Sequence, residues 1–435
     1  MCPFRKNKHQ HMKKKFLGFL TVMLFTFFYG SAQETVKVMF YNLLNYPLEN
    51  AVPNRIDDLS FILSDYQPDL FLVCELNNIT GAIDVLNTAK SAINSSFEMA
   101  TYVSNTSDDS GGNQNDLQNL LYYDSTKFSI EEEIIVPTYL RDFNVYRIQL
   151  KTIDQATDPI EIYVIVTHLK ASSGASNAQR RFEMVQDLEV YLETLPADTN
   201  VLLGGDLNVY TASETAFQTL ISDSNNIAFV DPANQVGSWH NNTNYVGVFT
   251  QSTRTQNGLG GSTGGFDDRF DFILTSENMI STANVTYTSG SYQVYGNNGL
   301  TSCYNRSINS SDCETTGSQF SSVLRNHLHN FSDHLPVTLS LETDATFLSV
   351  EDFEIVSRIR LDTTIINHSL IINVDDIILY NERLDIYNSL GQKVKTLQMN
   401  SDTKQRFDVT DLNNGLFYLT VPNRNFNPIK FIISN

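Results

Sequence analysis

The sequence predicts an α/β body of two packed β-sheets covered by helices, followed by a small all-β unit. Three observations lead there. Short apolar runs alternate with helical patterns between residues 36 and 341, and from Phe347 onward only alternating strand patterns remain. Turn signals at Leu390-Gly391 and Asn413-Asn414-Gly415 divide those late strands. At 435 residues and 41% hydrophobic content, the chain exceeds one ordinary domain and can bury a large core.

The first segment stands outside the fold. Arg5, Lys6, Lys8, Lys13, Lys14 and Lys15 precede an apolar run from Phe16 to Tyr29, and small residues Gly30-Ser31-Ala32 follow. That is the pattern of a secretory signal peptide, 1–32, too short to span a bilayer of ~20 residues. Its loss leaves 23 basic residues against 49 acidic ones, a net charge near −26. Such a charge argues against tight nonspecific coating of polyanions by lysines. Six arginines and lysines, Lys170, Arg180, Arg181, Arg254, Arg269 and Arg325, are candidates for a local basic rim. In an exported chain, Cys303 and Cys313 bracket a polar loop and read as a local disulfide, whereas Cys74 lies in an apolar run and reads as a buried thiol.

Strands are expected at 36–41, 69–74, 120–123, 145–152, 160–167, 201–203, 270–275 and 336–341, with helices at 55–63, 82–93 and 178–195. The stretches 104–119, 241–265 and 288–322 are rich in Asn, Gly, Ser and Thr and read as loops. Two of them are long enough to shape a site. His327 and His329 read as loop residues, and Trp239, Tyr292 and Tyr295 as scattered aromatics, with no exposed aromatic hairpin for a membrane.

Polar residues gather at the strand ends. Asn42 follows Val38-Met39-Phe40-Tyr41, where an amide oxygen can hold a hard metal, and Glu75 follows Phe71-Leu72-Val73-Cys74. A carboxylate closing a buried strand needs a partner or a cation, since its burial is otherwise costly. His168 ends the strand at 160–167, and Gly204-Gly205-Asp206-Leu207-Asn208 places Asp and Asn two apart on one side of an extended chain. Asp271, inside an apolar strand, is the partner expected for His334 in Ser332-Asp333-His334. Oxygen ligands and imidazoles delivered by separate strand ends are what metal-assisted hydrolysis of phosphate esters requires.

In this order, Asn42, Glu75, His168, Asp206-x-Asn208, Asp271 and Asp333-His334 resemble the endonuclease/exonuclease/phosphatase superfamily over residues 35–342. The resemblance implies a four-layer α/β sandwich with the site at one edge of the two sheets. It implies Mg²⁺, or Mn²⁺ or Ca²⁺, at Glu75 with Asn42 and Asp333 near, and Asp206 orienting water. His334 with Asp271 would act as base or phosphate ligand, and Asn208 and His168 would steady charge on phosphoryl oxygens. Arg141 is matched to a phosphate-binding arginine. After a linker at 343–346, residues 347–435 resemble a type IX secretion sorting domain through Leu384-Asp385-Ile386-Tyr387, Gly415-Leu416-Phe417-Tyr418 and terminal Lys430-Phe431-Ile432-Ile433. The implied protein is a monomeric extracellular phosphodiesterase, released or surface-attached through the type IX machinery and without stable membrane insertion. It would act on nucleic acid, DNA first. A phospholipid phosphodiesterase, a phosphomonoesterase and a non-catalytic binding protein stand as alternatives.

Overall fold

The computed structural model describes residues 33–106, 117–348, 359–374, 383–422 and 428–434. The expected leader at 1–32, part of the 104–119 loop and much of 347–358 lie outside them.

In chain order the elements run β1 (Glu34–Tyr46), α1 (Arg55–Tyr66), β2 (Leu70–Leu76), α2 (Ile79–Ala92), β3 (Phe97–Met99), β4 (Gln118–Asp124), β5 (Phe128–Val136) and β6 (Phe143–Leu150). Next come β7 (Glu161–His168), α3 (Ala175–Leu192), β8 (Val201–Asp206), α4 (Thr215–Leu220), β9 (Phe229–Val230), β10 (Asp271–Ser276), β11 (Thr286–Tyr287), β12 (Gln293–Val294), α5 (Ser322–Phe331) and β13 (Val337–Thr343). Local chemistry starts the helices: Asn78 accepts from Gly81 N at 2.9 Å to cap α2, and Ser321 does so for Leu324 N at 3.3 Å in α5.

Two mixed sheets result, one ordered β11-β13-β1-β2-β4-β3 with β12 also on β13, the other β5-β6-β7-β8-β10-β9. In each sheet a parallel pair sits beside an antiparallel strand: β1 and β2 with β13, and β7 and β8 with β10. The C-terminal ends of a parallel pair and the start of its antiparallel neighbour share one edge of the sheet, so six chain segments deliver side chains to a common rim.

The sheets pack face to face through one apolar cluster that runs from Val36 to Phe347. Their approach depends on Gly204, where an added Cβ would stand 2.6 Å from Leu72 Cδ2 of the opposite sheet. Asp206, two residues on, shares that inward face at the rim. The Cys303–Cys313 disulfide closes a loop between β12 and α5, and Cys74 is a buried free thiol.

The remaining strands are β14 (Ile359–Leu361), β15 (Ile365–Ile366), β16 (Ser369–Val374), β17 (Arg383–Asn388), β18 (Lys393–Gln398), β19 (Lys404–Asp408), β20 (Gly415–Thr420) and β21 (Ile429–Ile433). They form sheets ordered β14-β16-β19 and β15-β21-β20-β17-β18 around a second apolar cluster, from Ile359 to Ile433. Among the described residues, no helix is long and apolar enough to cross a membrane.

Candidate functional site

At the shared rim lies a cleft of about 320 Å³, lined by Glu75, Arg141, His168, Asp206, Asn208, Asp333 and His334 among others. Register explains half of it. His168 pairs with Asp206 across the parallel β7–β8 ladder, and Asp206 pairs with Asp271 across the antiparallel β8–β10 ladder. Three strand ends therefore set these residues side by side. The facing sheet contributes Asn42 and Glu75 from β1 and β2, and Asp333 and His334 from the lead-in to β13.

Asn42 is the link between the two carboxylates. Its Nδ2 donates to Glu75 Oε1 at 3.0 Å and to Asp206 Oδ2 at 3.1 Å. Leu44 N, which can only donate, fixes the amide by taking Oδ1 at 2.9 Å. An amide oxygen offered to a metal was the expectation; here the oxygen serves the backbone and the NH₂ faces the acids. Glu75 Oε2 also accepts Asn45 N at 3.0 Å. Burial first, then Asp333, raises the Glu75 carboxyl above its usual range. Burial and then Asp271 push Asp206 up as well.

His168 Nε2 stands 3.5 Å from Asp206 Oδ2 and 3.9 Å from Glu75 Oε1. Burial, followed by Arg141, holds this imidazole well below its normal pKa. Arg141 reaches the cleft while its Nε and a terminal nitrogen donate to His168 O and Leu169 O at 2.9 and 2.7 Å. Asn208, at φ 52°, donates through its backbone to Asp206 Oδ1 at 3.1 Å.

His334 Nδ1 meets Asp271 Oδ2 at 2.7 Å, the pairing expected from the sequence. Burial works against charge on the ring, but Asp271 and then Asp333 outweigh it and raise its pKa well above the usual value. Asp333 accepts Ser262 N at 2.7 Å through Oδ2, while its Oδ1, like Asp271 Oδ1, is buried without a hydrogen-bond partner among the described residues.

Several supporting residues carry no signal in the sequence. Arg55, buried, donates to Leu43 O, Leu44 O and Phe331 O and so ties the end of β1 to the end of α5. Ser332 Oγ donates to Asn42 O at 2.8 Å and accepts His334 N at 3.1 Å. Thr250 Oγ1 takes the N–H of Phe270 and of Asp271 at 3.0 and 3.2 Å. Gln251 lines the cleft from the polar stretch at 241–265.

The basic rim is a correction. Arg181, Arg254, Arg269 and Arg325 are buried. Arg269 forms a two-pronged pair with Asp231 at 2.8 Å, Arg181 binds Glu214, Arg325 binds Glu314, and Arg254 is bonded to backbone carbonyls of Leu259, Gly260, His329 and Asn330. A planar guanidinium with five donors suits such interior stitching. His327 and His329 also differ from expectation: both belong to α5, where His327 pairs with Asp58 and stacks on Phe61. Trp239 is wholly buried, and the Tyr292 hydroxyl accepts from Arg269.

A divalent cation fits the donor set on the structure's own terms. Glu75, His168 and Asp206 each offer a ligand atom within 4.8 Å of the others, and so do Asp206, Asp271 and His334. Two carboxylates raised by burial, an orphaned Asp333 oxygen and no thiolate among these groups suit a hard, oxygen-preferring ion.

Residues 366–435 match the family described as a secretion system C-terminal sorting domain. No curated protein matches the chain. Among solved structures it is similar to D. rerio TDP2 complexed with single strand DNA product, at 18% identity over 71% of this chain and 100% of that one, TM-score 0.45. It is also similar to the human Nocturnin catalytic domain, at 14% identity over 71% and 97%, TM-score 0.42. A third is the Bacteroides thetaiotaomicron mannosyl-6-phosphatase, at 16% identity over 70% and 99%, TM-score 0.42. The tail match marks the chain for secretion.

Proposed function

We propose that this is a secreted, divalent-metal-dependent phosphoesterase, and that it hydrolyses phosphodiester bonds of nucleic acid, acting as a monomer outside the cell. The leader at 1–32 would be removed, 35–342 would form the catalytic domain, and 347–435 would direct export through a type IX system. The observation that carries this reading is the convergence of Glu75, His168, Asp206, Asp333 and the His334–Asp271 pair on one cleft.

Glu75 and Asp333 would hold the cation, with Asn42 keeping Glu75 and Asp206 in place through its NH₂. The cation would supply charge neutralisation at the phosphoryl group. Asp206 lines the cleft and would orient a water and take its proton. The Asp271 carboxylate fixes the His334 ring so that Nε2 faces the cleft. Asn208 and His168 offer hydrogen bonds to oxygens that gain charge. Tyr210 and Phe270, centroids 4.9 Å apart, line the cleft and give a sugar or base an apolar wall.

A lipid diester is the second reading. Leu48, Ile79 and Ile83 are exposed large apolar residues, and Pro47 packs beside Gly81, which brings the two segments together near Asn45 of the cleft.

The purified secreted protein is to be incubated with plasmid DNA, RNA, sphingomyelin and inositol phosphates, with and without chelator. Cation-dependent cleavage of nucleic acid is expected, and His334→Ala is expected to lower turnover at least ~100-fold with the fold intact. Preference for sphingomyelin favours the lipid reading. No turnover of any ester with Mg²⁺, Mn²⁺ or Ca²⁺ leaves a binding protein.

A further inference from the structure

We infer that Tyr139 and Arg180 form a subsite beside the cleft for an unpaired nucleotide of a nucleic-acid strand, the ring stacking on a base and the guanidinium holding the adjoining phosphate. The inference rests on the proposed action on nucleic acid and names the form of strand that the cleft takes.

Sheet order places the subsite. β6 runs antiparallel to β7, with Asn144 beside Val166, so the start of β6 lies next to the end of β7. The turn 138–142 that leads into β6 therefore reaches the rim that carries His168, Asp206 and Asp271, and Arg141 of that turn lines the cleft. Strands β6, β7, β8 and β10 are neighbours in that order. Three spacings of ~4.8 Å set the turn about 14 Å from the start of β10. Tyr210 and Phe270 stand at that far end. The interval is the length of about four nucleotides at ~3.4 Å of rise along a strand, with the reacting groups inside it.

The turn is built to present one side chain. Asp142, buried, accepts Thr138 N at 3.2 Å and Thr106 N at 2.6 Å. Thr138 Oγ1 donates to Arg141 O at 2.9 Å and accepts Leu140 N at 3.1 Å. Thr138 and Leu140 are buried, whereas Tyr139 between them is 43% exposed. A base laid on that ring would cover apolar surface on a backbone that is already fixed. Bases inside a duplex are stacked on their neighbours, so the ring selects a strand whose bases are unpaired.

Of the arginines first considered for a basic rim, Arg181, Arg254, Arg269 and Arg325 are buried, and Arg180 alone is exposed. Its Cζ lies 5.9 Å from the Tyr139 ring centroid, and it forms no ion pair among the described residues. That distance is the outer reach of a cation–π contact and leaves the guanidinium able to turn to an anion. Burial raises the Tyr139 hydroxyl pKa and Glu183 adds to the rise, while Arg180 and Arg141 draw it down, so both cations bear on the ring. Glu183 Oε1 is taken by Gln179 Nε2 at 3.0 Å. α3 is anchored at the cleft itself: Arg181 Nη1 donates to Lys170 O and Ser172 O at 2.8 and 3.0 Å, and Ser172 lines the cleft.

The test uses the full secreted chain with Mg²⁺, a fluorescent single-stranded octanucleotide, its duplex, and bis-p-nitrophenyl phosphate as a diester without a strand. Wild type is expected to prefer the single strand to the duplex about tenfold or more in kcat/KM. Tyr139→Ala should raise KM for the single strand about 5- to 100-fold, the scale of one lost base–aromatic stack, with kcat within about threefold. Tyr139→Phe keeps the ring and should stay within about twofold of wild type. Arg180→Gln removes one phosphate contact and should make the slope of log(kcat/KM) against log salt more positive by about 0.7. The inference is overturned by a preference for duplex, by a Tyr139→Ala KM within about twofold of wild type, or by an unchanged salt slope in Arg180→Gln. An equal loss on the octanucleotide and on bis-p-nitrophenyl phosphate overturns it too, because the effect would then lie at the reacting centre. Should wild type hydrolyse the small diester but no nucleic acid, the proposed substrate fails instead. Fluorescence anisotropy of the octanucleotide then decides the subsite: binding about tenfold weaker in Tyr139→Ala upholds it, and equal binding overturns it.

Discussion

Asn42 stands between two acids that burial has already raised, and its NH₂ is the hydrogen-bond donor they share. Asn42→Asp would replace that donor with a third carboxylate. We expect a loss of about 1–3 kcal/mol in chelator, the scale for stranding buried polar groups, with part of it recovered on adding Mg²⁺. Urea denaturation with and without the cation measures it. Asp231 offers a pH test away from the cleft. Burial would raise its carboxyl, but Arg269 outweighs burial and lowers it. A depressed folded pKa means the stabilisation is present above the unfolded value, ~3.9, and lost as pH falls through the lower folded one. Arg269→Met should therefore cost about 3–5 kcal/mol at neutral pH, and the gap to wild type should narrow in acid as Asp231 protonates. Glu75, His168 and Asp206 were legible because each ends a distinct apolar run, as Glu75 does after Phe71-Leu72-Val73-Cys74. The orientation of the Asn42 amide was not legible, since it depends on Leu44 N and on a carboxylate 164 positions away.

Among elements, β8 is constrained at both of its glycines. An added Cβ at Gly204 would press on Leu72 Cδ2, the tip of a flexible side chain, whereas one at Gly205 would stand 2.4 Å from Thr167 Cγ2 and 2.8 Å from Thr167 O. Side chains yield more readily than a paired backbone. Gly205→Ala should thus lower the melting temperature more than Gly204→Ala, and the reverse order in calorimetry would contradict the packing described. The eight strands and three helices expected from periodicity all occur, most of them longer at one or both ends. β5 escaped because Glu131-Glu132-Glu133 interrupts its pattern, yet as an edge strand it turns that charged run outward, where it discourages pairing with another chain. α5 escaped because polar residues such as Asn326, His327 and Asn330 obscure its apolar face. Ser321, three residues ahead of Leu324, was the available signal.

On the scale of the whole molecule, the two apolar clusters repeat the change of pattern near Phe347, since local periodicity records which residues must be covered. Which arginines lie inside was invisible, because carbonyl partners such as His329 O and Asn330 O for Arg254 come from distant loops. That interior use of arginine shapes the electric field outside. With Arg55, Arg181, Arg254, Arg269 and Arg325 withdrawn from solvent, carboxylates dominate the exterior of a chain that carries 49 acidic residues. A polyanion approaching the cleft is then slowed at long range, and dissolved ions remove the barrier. Raising ionic strength from about 0.01 to 0.15 M shortens the screening length from about 30 to about 8 Å. Cleavage of DNA should accelerate over that interval, measured as kcat/KM at saturating cation, where a nuclease that captures its substrate through a cationic surface would slow down.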